Sequence, residues 1–393
     1  MTSPRTFGRT TNTDQYGFVV FPGDPITRMP VQDIQHHRWD PKLCHGVWTF
    51  ELTTHSPLLI HAGMDGNGFP KDVGVSDTEG PGKKKPIPKS FLKSKHPDHL
   101  GQPVIPGSSL KGMIRSVYEI ITHSCGFQIR NEYPHEPPNL DRSVPARACI
   151  DSNALCPSCR LFGWMSHKAT NSDVCFQGRV SIGDALPPSG RPVKLSRSKW
   201  LPILGSPVPK DRSTSTLFHS YYQSVGSKKM MRGRKRYQAW IKANSGQEVR
   251  SQSDLAKMST KPAESVTESQ TFRLQVHFHN LTQAERGVLM RCFLLETGQH
   301  HLLGSAKAHG WGQVSLQLTA WRSLNPQDRY RGGRGWQDEF PHWRTLHQSD
   351  MALAVAVTPG KPPLYHEEAA QGLAQFQTHS QTASQRSGDP CDA

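Results

Sequence analysis

Three cysteines crowd into eleven residues as Cys149-x6-Cys156-x2-Cys159, and this is the densest reactive cluster in the chain. A C-x-x-C pair in a reducing compartment favours a metal over a disulfide. Thiolates hold zinc because the metal lowers the thiol pKa and each sulfur exchanges solvent for a short Zn–S bond. Tetrahedral zinc needs a fourth ligand, for which Cys125 is the first choice and His123 the second. Unliganded, partly buried thiols are the alternative. A redox pair would want a thioredoxin-like context, whereas Leu161-Phe-Gly163 follows this one. A four-ligand site leaves no open position for water, so the zinc would be structural. It would stabilise the stretch from Gln128 to Pro145, which is poor in bulky apolar residues.

The second cluster is cationic. Lys228 to Tyr237 reads KKMMRGRKRY, in which Arg232, Arg234, Lys235 and Arg236 stand just before Tyr237 and Trp240. A charge run is often only a solvated face. Aromatic rings beside cations suit single-stranded RNA, where bases stack while phosphates pair with Arg and Lys. Lys83 to Lys85 carry a weaker form of the same signal. The overall balance agrees: 47 Lys plus Arg against 32 Asp plus Glu give a formal charge of +15 over 393 residues. Such an excess concentrates polyanions around a protein, and nucleic acid is the leading partner class.

Other chemistries lack their residues. His36-His37, His300-His301 and His309 fall in no spacing with a recognised mechanism, so no metal and no catalytic residue is assigned to them. No strand-to-helix Gly-x-Gly-x-x-Gly and no phosphate-loop motif occurs, which leaves an ATPase or dehydrogenase unsupported. No stretch approaches the roughly 20 apolar residues that span a bilayer. The polar start, Met1 to Asp14, has no apolar secretory core, and a cytoplasmic protein is expected.

The elements that must position these clusters read as follows. Val47 to Ala62 has the alternation and β-forming residues of a strand. Gly63 to Gly101 turns to Gly, Pro, Lys and Asp without any period and predicts a long basic loop. In Pro103-Val-Ile-Pro-Gly-Ser-Ser-Leu-Lys-Gly-Met-Ile-Arg115, Ser108 or Ser109 is expected to cap a helix with Leu110, Ile114, Val117 and Ile121 on one face. Its free first-turn amides, with Lys111 and Arg115, would suit a phosphate. Gly178 to Asp184 reads as a short strand and Thr271 to Phe278 as the cleanest one. A helix should follow, with Thr282 and Glu285 spaced as a capping box. Gly304 to Leu318 supplies a glycine-rich turn and a last strand. The expected division is a residue 1–46 N-terminal extension, a 47–320 body, a 321–358 C-terminal extension and a 359–393 disordered tail. Within the body, insertions are expected at about 63–101 and 201–245, and the cysteine segment at about 123–163. The order strand, helix, strand, strand, helix, strand predicts an α+β, ferredoxin-like sheet, and no fixed repeat is found.

Several of these segments together resemble the RAMP superfamily of CRISPR-associated proteins, in particular the backbone subunits of type III and related effector complexes. The match is carried by Tyr16-Gly-Phe-Val-Val20, Ser56-Pro-Leu-Leu-Ile60, the Pro103–Arg115 segment, Cys156-Pro-Ser-Cys-Arg-Leu-Phe-Gly163, Gly178-Arg-Val-Ser-Ile-Gly-Asp-Ala185 and Gly304 to Val314. The resemblance implies a ferredoxin-like (RRM-like) palm, an inserted thumb at about 63–101 and a zinc knuckle. It implies several copies along one guide crRNA, which is gripped by its backbone so that its bases pair with target RNA. It points to Ser108, Ser109, Lys111 and Arg115 as guide contacts and to further effector subunits as partners. Cutting members are similar in carrying an aspartate in the loop before the PxIPGSSLKG segment, but here Ser90-Phe-Leu-Lys-Ser-Lys95 has no carboxylate. Asp65, Asp72, Asp77 and Asp98 remain candidates, and Mg²⁺ would be needed only if one of them supported cleavage. Cleavage by a separate nuclease is the expectation. A metal-dependent target ribonuclease and a guide-processing ribonuclease are the alternatives.

Overall fold

The computed structural model describes residues 16–21, 26–31, 36, 38–61, 91–126, 148–151, 153–165, 175–199, 222–225, 227–231, 233–239, 263–296, 298–332, 335–356 and 363–377. The principal elements are β1 (Tyr16–Val19), β2 (Cys44–Thr54), α1 (Gly107–Ile121), α2 (Pro157–Phe162) and β3 (Val180–Ile182). They continue with β4 (Arg234–Tyr237), β5 (Thr271–Leu281), α3 (Gln283–Phe293), β6 (His301–Leu302), β7 (Gln313–Leu324), β8 (Trp336–Asp338), α4 (Trp343–Val355) and α5 (Glu367–Gln377).

One mixed body of helix and strand is built on an antiparallel sheet in the order β6-β7-β2-β5-β3, with β8 paired to the far end of β7. Period-2 alternation sends Trp48, Phe50 and Leu52 of β2 to one face, where Phe272, Leu274, Val276 and Phe278 of β5 join them. Trp48 lies 4.5 Å from Phe278 and 5.7 Å from Trp321, while Phe50 stacks on Phe293 of α3 at 4.7 Å. The other face of β5 shows Arg273, Gln275 and His277 to solvent.

Helix α1 lies on this core through Leu110, Ile114, Val117 and Ile121, the stripe read from the sequence. Its cap differs from expectation: the N-cap is Pro106, and neither Ser108 nor Ser109 caps it. The Gly107 N–H instead donates to Asp184 Oδ1 at 2.8 Å. The helix starts so close to β3 that a Cβ on Gly107 would come within 2.0 Å of the Ile182 carbonyl oxygen. Only glycine permits this approach, which is why the PGSS and IGD segments meet. Helix α3 has the expected capping box: Thr282 Oγ1 accepts from the Glu285 N–H at 3.1 Å, and the Thr282 N–H donates to Glu285 Oε2 at 3.0 Å. Glu285 also pairs with the buried Arg179, which donates to Arg160 O at 3.1 Å and ties the cysteine segment to the sheet.

The expected disordered tail is corrected in part. Residues 367–377 form α5, whose Ala369 and Leu373 join the main core, and the His366 N–H donates to Ile121 O at 2.8 Å. Apolar residues at helical spacing, Ala369, Ala370, Leu373 and Phe376, supply a docking stripe that the surrounding Gln and Glu conceal from a composition reading. Two expected boundaries also move, since β2 begins at Cys44 and β7 runs through residues 320 and 321. The basic loop at residues 62–90, the core of the cysteine loop at residues 127–147 and the final residues from 378 lie outside the described residues.

Candidate nucleic-acid interface and metal centre

Cys125 follows α1 through the turn Thr122 to Ser124, Cys149 returns beside it, and Cys156 and Cys159 bracket the first turn of α2. All four are buried, and their sulfurs lie within 4.8 Å of one another, a group that could hold a metal such as zinc. Cys125 Sγ is 3.5 Å from Cys156 Sγ and 3.6 Å from Cys159 Sγ. Sulfurs at the corners of a tetrahedron with bonds of about 2.3 Å stand roughly 3.8 Å apart, so the donor set fits. Of the two fourth-ligand choices, the structure brings in Cys125. His123 faces His366 instead, at 5.7 Å between rings. A satellite core of Ile26, Leu155 and Trp164 packs around the sulfurs, and the Trp164 Nε1–H donates to Cys149 O at 2.8 Å.

The basic run divides by strand alternation. β4 pairs antiparallel with β1, with Arg234 opposite Val19, Lys235 opposite Phe18 and Arg236 opposite Gly17. Arg234 and Arg236 reach α1. Arg234 meets Glu119 Oε2 at 3.1 Å and also donates to Ser124 O, while Arg236 donates to Ser116 Oγ at 3.1 Å and to Ser116 O. Lys235 Nζ stands 4.0 Å from the Tyr16 ring centre and 4.9 Å from that of Tyr237, an arrangement of cation and rings suited to stacking. Arg232, Trp240 and Lys83 to Lys85 lie outside the described residues.

At the helix start, Ser108 is exposed and Ser109 and Lys111 are half-buried. The Gly107 and Ser109 amides already have acceptors, in Asp184 and Pro106 O. The expected cradle of free amides thereby loses the Gly107 and Ser109 N–H groups, which leaves the side chains of Ser108, Ser109 and Lys111 as its main donors. Arg115 turns inward: Nε donates to Glu119 Oε1 at 2.9 Å, Nη1 to Gly163 O at 3.2 Å, and Nη2 to Cys159 Sγ at 3.5 Å.

Charge in this region is unevenly compensated. Burial works against the Arg115 cation, yet the Glu119 carboxylate outweighs it and holds its pKa above the ordinary value. Burial, with Arg234 next to it, brings Arg236 down to about 10. Burial lowers Lys111, helped by Arg115, and lowers Lys307, helped by Arg236. Lys307 begins the single turn Lys307–His309 inside the glycine-rich segment. Sequence reading passed over it, because only the fold brings it under the influence of Arg236. Cations that depress one another favour an anion among them. Of the loop aspartates, Asp98 is exposed beside His96, its Oδ2 3.6 Å from His96 Nδ1. Asp65, Asp72 and Asp77 lie outside the described residues.

A family model described as the RAMP superfamily matches residues 51–315, two thirds of the sequence. The chain belongs to the RAMP superfamily. The RAMP match spans the start of α1, all four cysteines and β4, whereas β1 precedes it. A search of the curated proteins finds no match. Among solved structures, this RAMP chain is similar to a chain titled "Type IV-B CRISPR Complex", with 16% identity over 70% of this chain and 90% of that one and a TM-score of 0.34. It is also similar to Csc2 of Thermofilum pendens, with 13% identity over 81% of this chain and 79% of that one and a TM-score of 0.31.

Proposed function

We propose that this RAMP chain binds a guide crRNA as a backbone subunit of a CRISPR ribonucleoprotein effector, several copies lying along one guide with its base edges free for target RNA. The supporting observation is the joining of the two predicted RNA-binding stretches. Arg236 and Arg234 bond to Ser116 and Glu119 across more than a hundred residues of sequence. This ties the strand of Lys235 and Tyr237, with Tyr16 opposite on β1, to α1, the helix of Ser108, Ser109 and Lys111. Phosphates would meet lysines and hydroxyls, and the rings would take a base or ribose face. The four central strands, in chain order β2, β3, β5 and β7, stand in spatial order fourth-first-third-second, which supports the reading of a ferredoxin-like palm.

The cysteine group is read as a structural zinc knuckle held by Cys125, Cys149, Cys156 and Cys159. Bound zinc would supply a fixed crosslink between the end of α1 and α2. The chain is proposed to work in the cytoplasm with other effector subunits, and a separate nuclease is proposed to cut. No helix among the described residues is long and apolar enough to cross a membrane.

Co-expression with a CRISPR array and sequencing of the co-purified RNA tests the proposal. A discrete set of guide-length RNAs is expected, bound with an affinity that falls steeply with salt. RNA-free material with no RNA affinity at low salt would reject it.

A further inference from the structure

Arg115, expected at the RNA, lies between the cysteine group and the basic strand. Four thiolates around one divalent zinc would carry a net charge of two minus, and the four sulfurs are buried among Ile26, Leu155 and Trp164. The guanidinium of Arg115 reaches Cys159 Sγ at 3.5 Å and at the same time holds Gly163 O, at the end of α2, at 3.2 Å. Its third contact is Glu119 Oε1 at 2.9 Å, while Glu119 Oε2 takes Arg234 at 3.1 Å. Ser158, between the two α2 cysteines, also reaches Glu119 Oε1, at 3.4 Å, and its N–H donates to Ser124 Oγ at 3.0 Å. Arg234 closes the circuit on Ser124 O, the carbonyl that precedes Cys125. The contacts run without a gap from sulfur to Arg115, Glu119, Arg234 and β4.

We infer that Arg115 is a positioning residue for the metal site, and that metal occupancy sets RNA affinity through Arg115, Glu119 and the placement of β4. The inference rests on the RNA-binding reading above. With metal bound, the thiolate charge holds Arg115, Glu119 is shared between two arginines, and β4 is fixed at both Ser116 and Ser124. With metal removed and the thiols protonated, Arg115 loses its thiolate acceptor and is left with Glu119, and the turns that carry Ser124 and Gly163 lose their crosslink. Strand β4 then keeps only its pairing with β1 and its contacts to α1. Coupling of this kind is reciprocal, so bound RNA should also slow loss of the metal.

The test compares metal-loaded and chelator-treated full-length protein under reducing conditions. It is applied to the wild type, Arg115→Gln, Arg115→Lys and Glu119→Gln. Zinc release to a chromogenic chelator should be about tenfold faster in Arg115→Gln, as for other residues that contact metal ligands. Arg115→Lys should fall between, since it restores the charge without the fork. Metal removal should weaken wild-type binding of a single-stranded RNA by about tenfold and speed amide exchange at residues 234–237, while Glu119→Gln with full zinc content should bring the ratio close to one. Unchanged RNA affinity and unchanged exchange after metal removal would overturn the inference. If the loaded protein binds no RNA but exchange at β4 still responds to metal, the RNA reading fails and the linkage from metal to strand stands. Equal zinc release from the wild type and both Arg115 variants would remove Arg115 from the metal site.

Discussion

The sheet core and the cysteine region are held together in different ways. Around Trp48, the core buries Phe50, Leu52, Phe272, Phe278, Phe293 and Trp321, and needs no further crosslink once that apolar surface has left water. Among the described residues, the cysteine region buries only Ile26, Leu155 and Trp164 beside its sulfurs, with Phe21, Val31 and Phe176 partly buried against them. Its order is proposed to come from directed bonds: four sulfurs that could hold a metal such as zinc, and a ring of arginine, glutamate and serine contacts. If the cysteine group holds the proposed zinc, one region should answer to packing and the other to metal and charge.

Cys156→Ser should give the most complete separation of the two. Metal content is expected to fall from about one zinc per chain to none, with fast exchange at residues 148–165 and continued protection of β2 and β5. Full metal content in this variant would break the comparison. Trp48→Ala should do the reverse and lower global stability by about 4 kcal/mol in denaturant titration, while the protein that remains folded keeps its zinc.

Acid should act on the core side as well. His301 is buried, with Nε2 3.2 Å from Phe293 O, and burial brings its pKa down to about 4. The unfolded chain takes up this proton near pH 6.5 and the folded chain only near 4. Stability therefore falls as pH drops through that window, by roughly 3 kcal/mol from this group. His301→Phe should flatten that part of a stability profile measured against pH. The smallest effect is expected at the helix start, where Asp184→Ala removes the carboxylate that receives the Gly107 N–H. A loss of about 1 kcal/mol in thermal or denaturant unfolding is expected, with zinc content unchanged.

Most of the sheet was legible in the sequence because strand alternation and helical stripes are local patterns. β5 and the Thr282–Glu285 box could be read directly, and so could the apolar face of α1. Three of the four clustered cysteines were legible for the same reason, as C-x-x-C and its upstream neighbour lie within eleven residues. What escaped was decided by distant partners. No local rule tells that Asp184 would reach Gly107, or that Arg115 would be drawn to Cys159 and Glu119. The division of Arg234, Lys235 and Arg236 between two faces became visible only with the pairing of β4 and β1. Helix α5 was hidden because its few apolar residues matter only against distant partners, α1 and β1.

Lysine reactivity toward an amine-modifying reagent, measured with and without bound single-stranded RNA, tests the central claim most directly. Lys111, Lys235 and Lys307 should become protected together when RNA is loaded. Unchanged reactivity at all three, in protein shown to carry RNA, would contradict it.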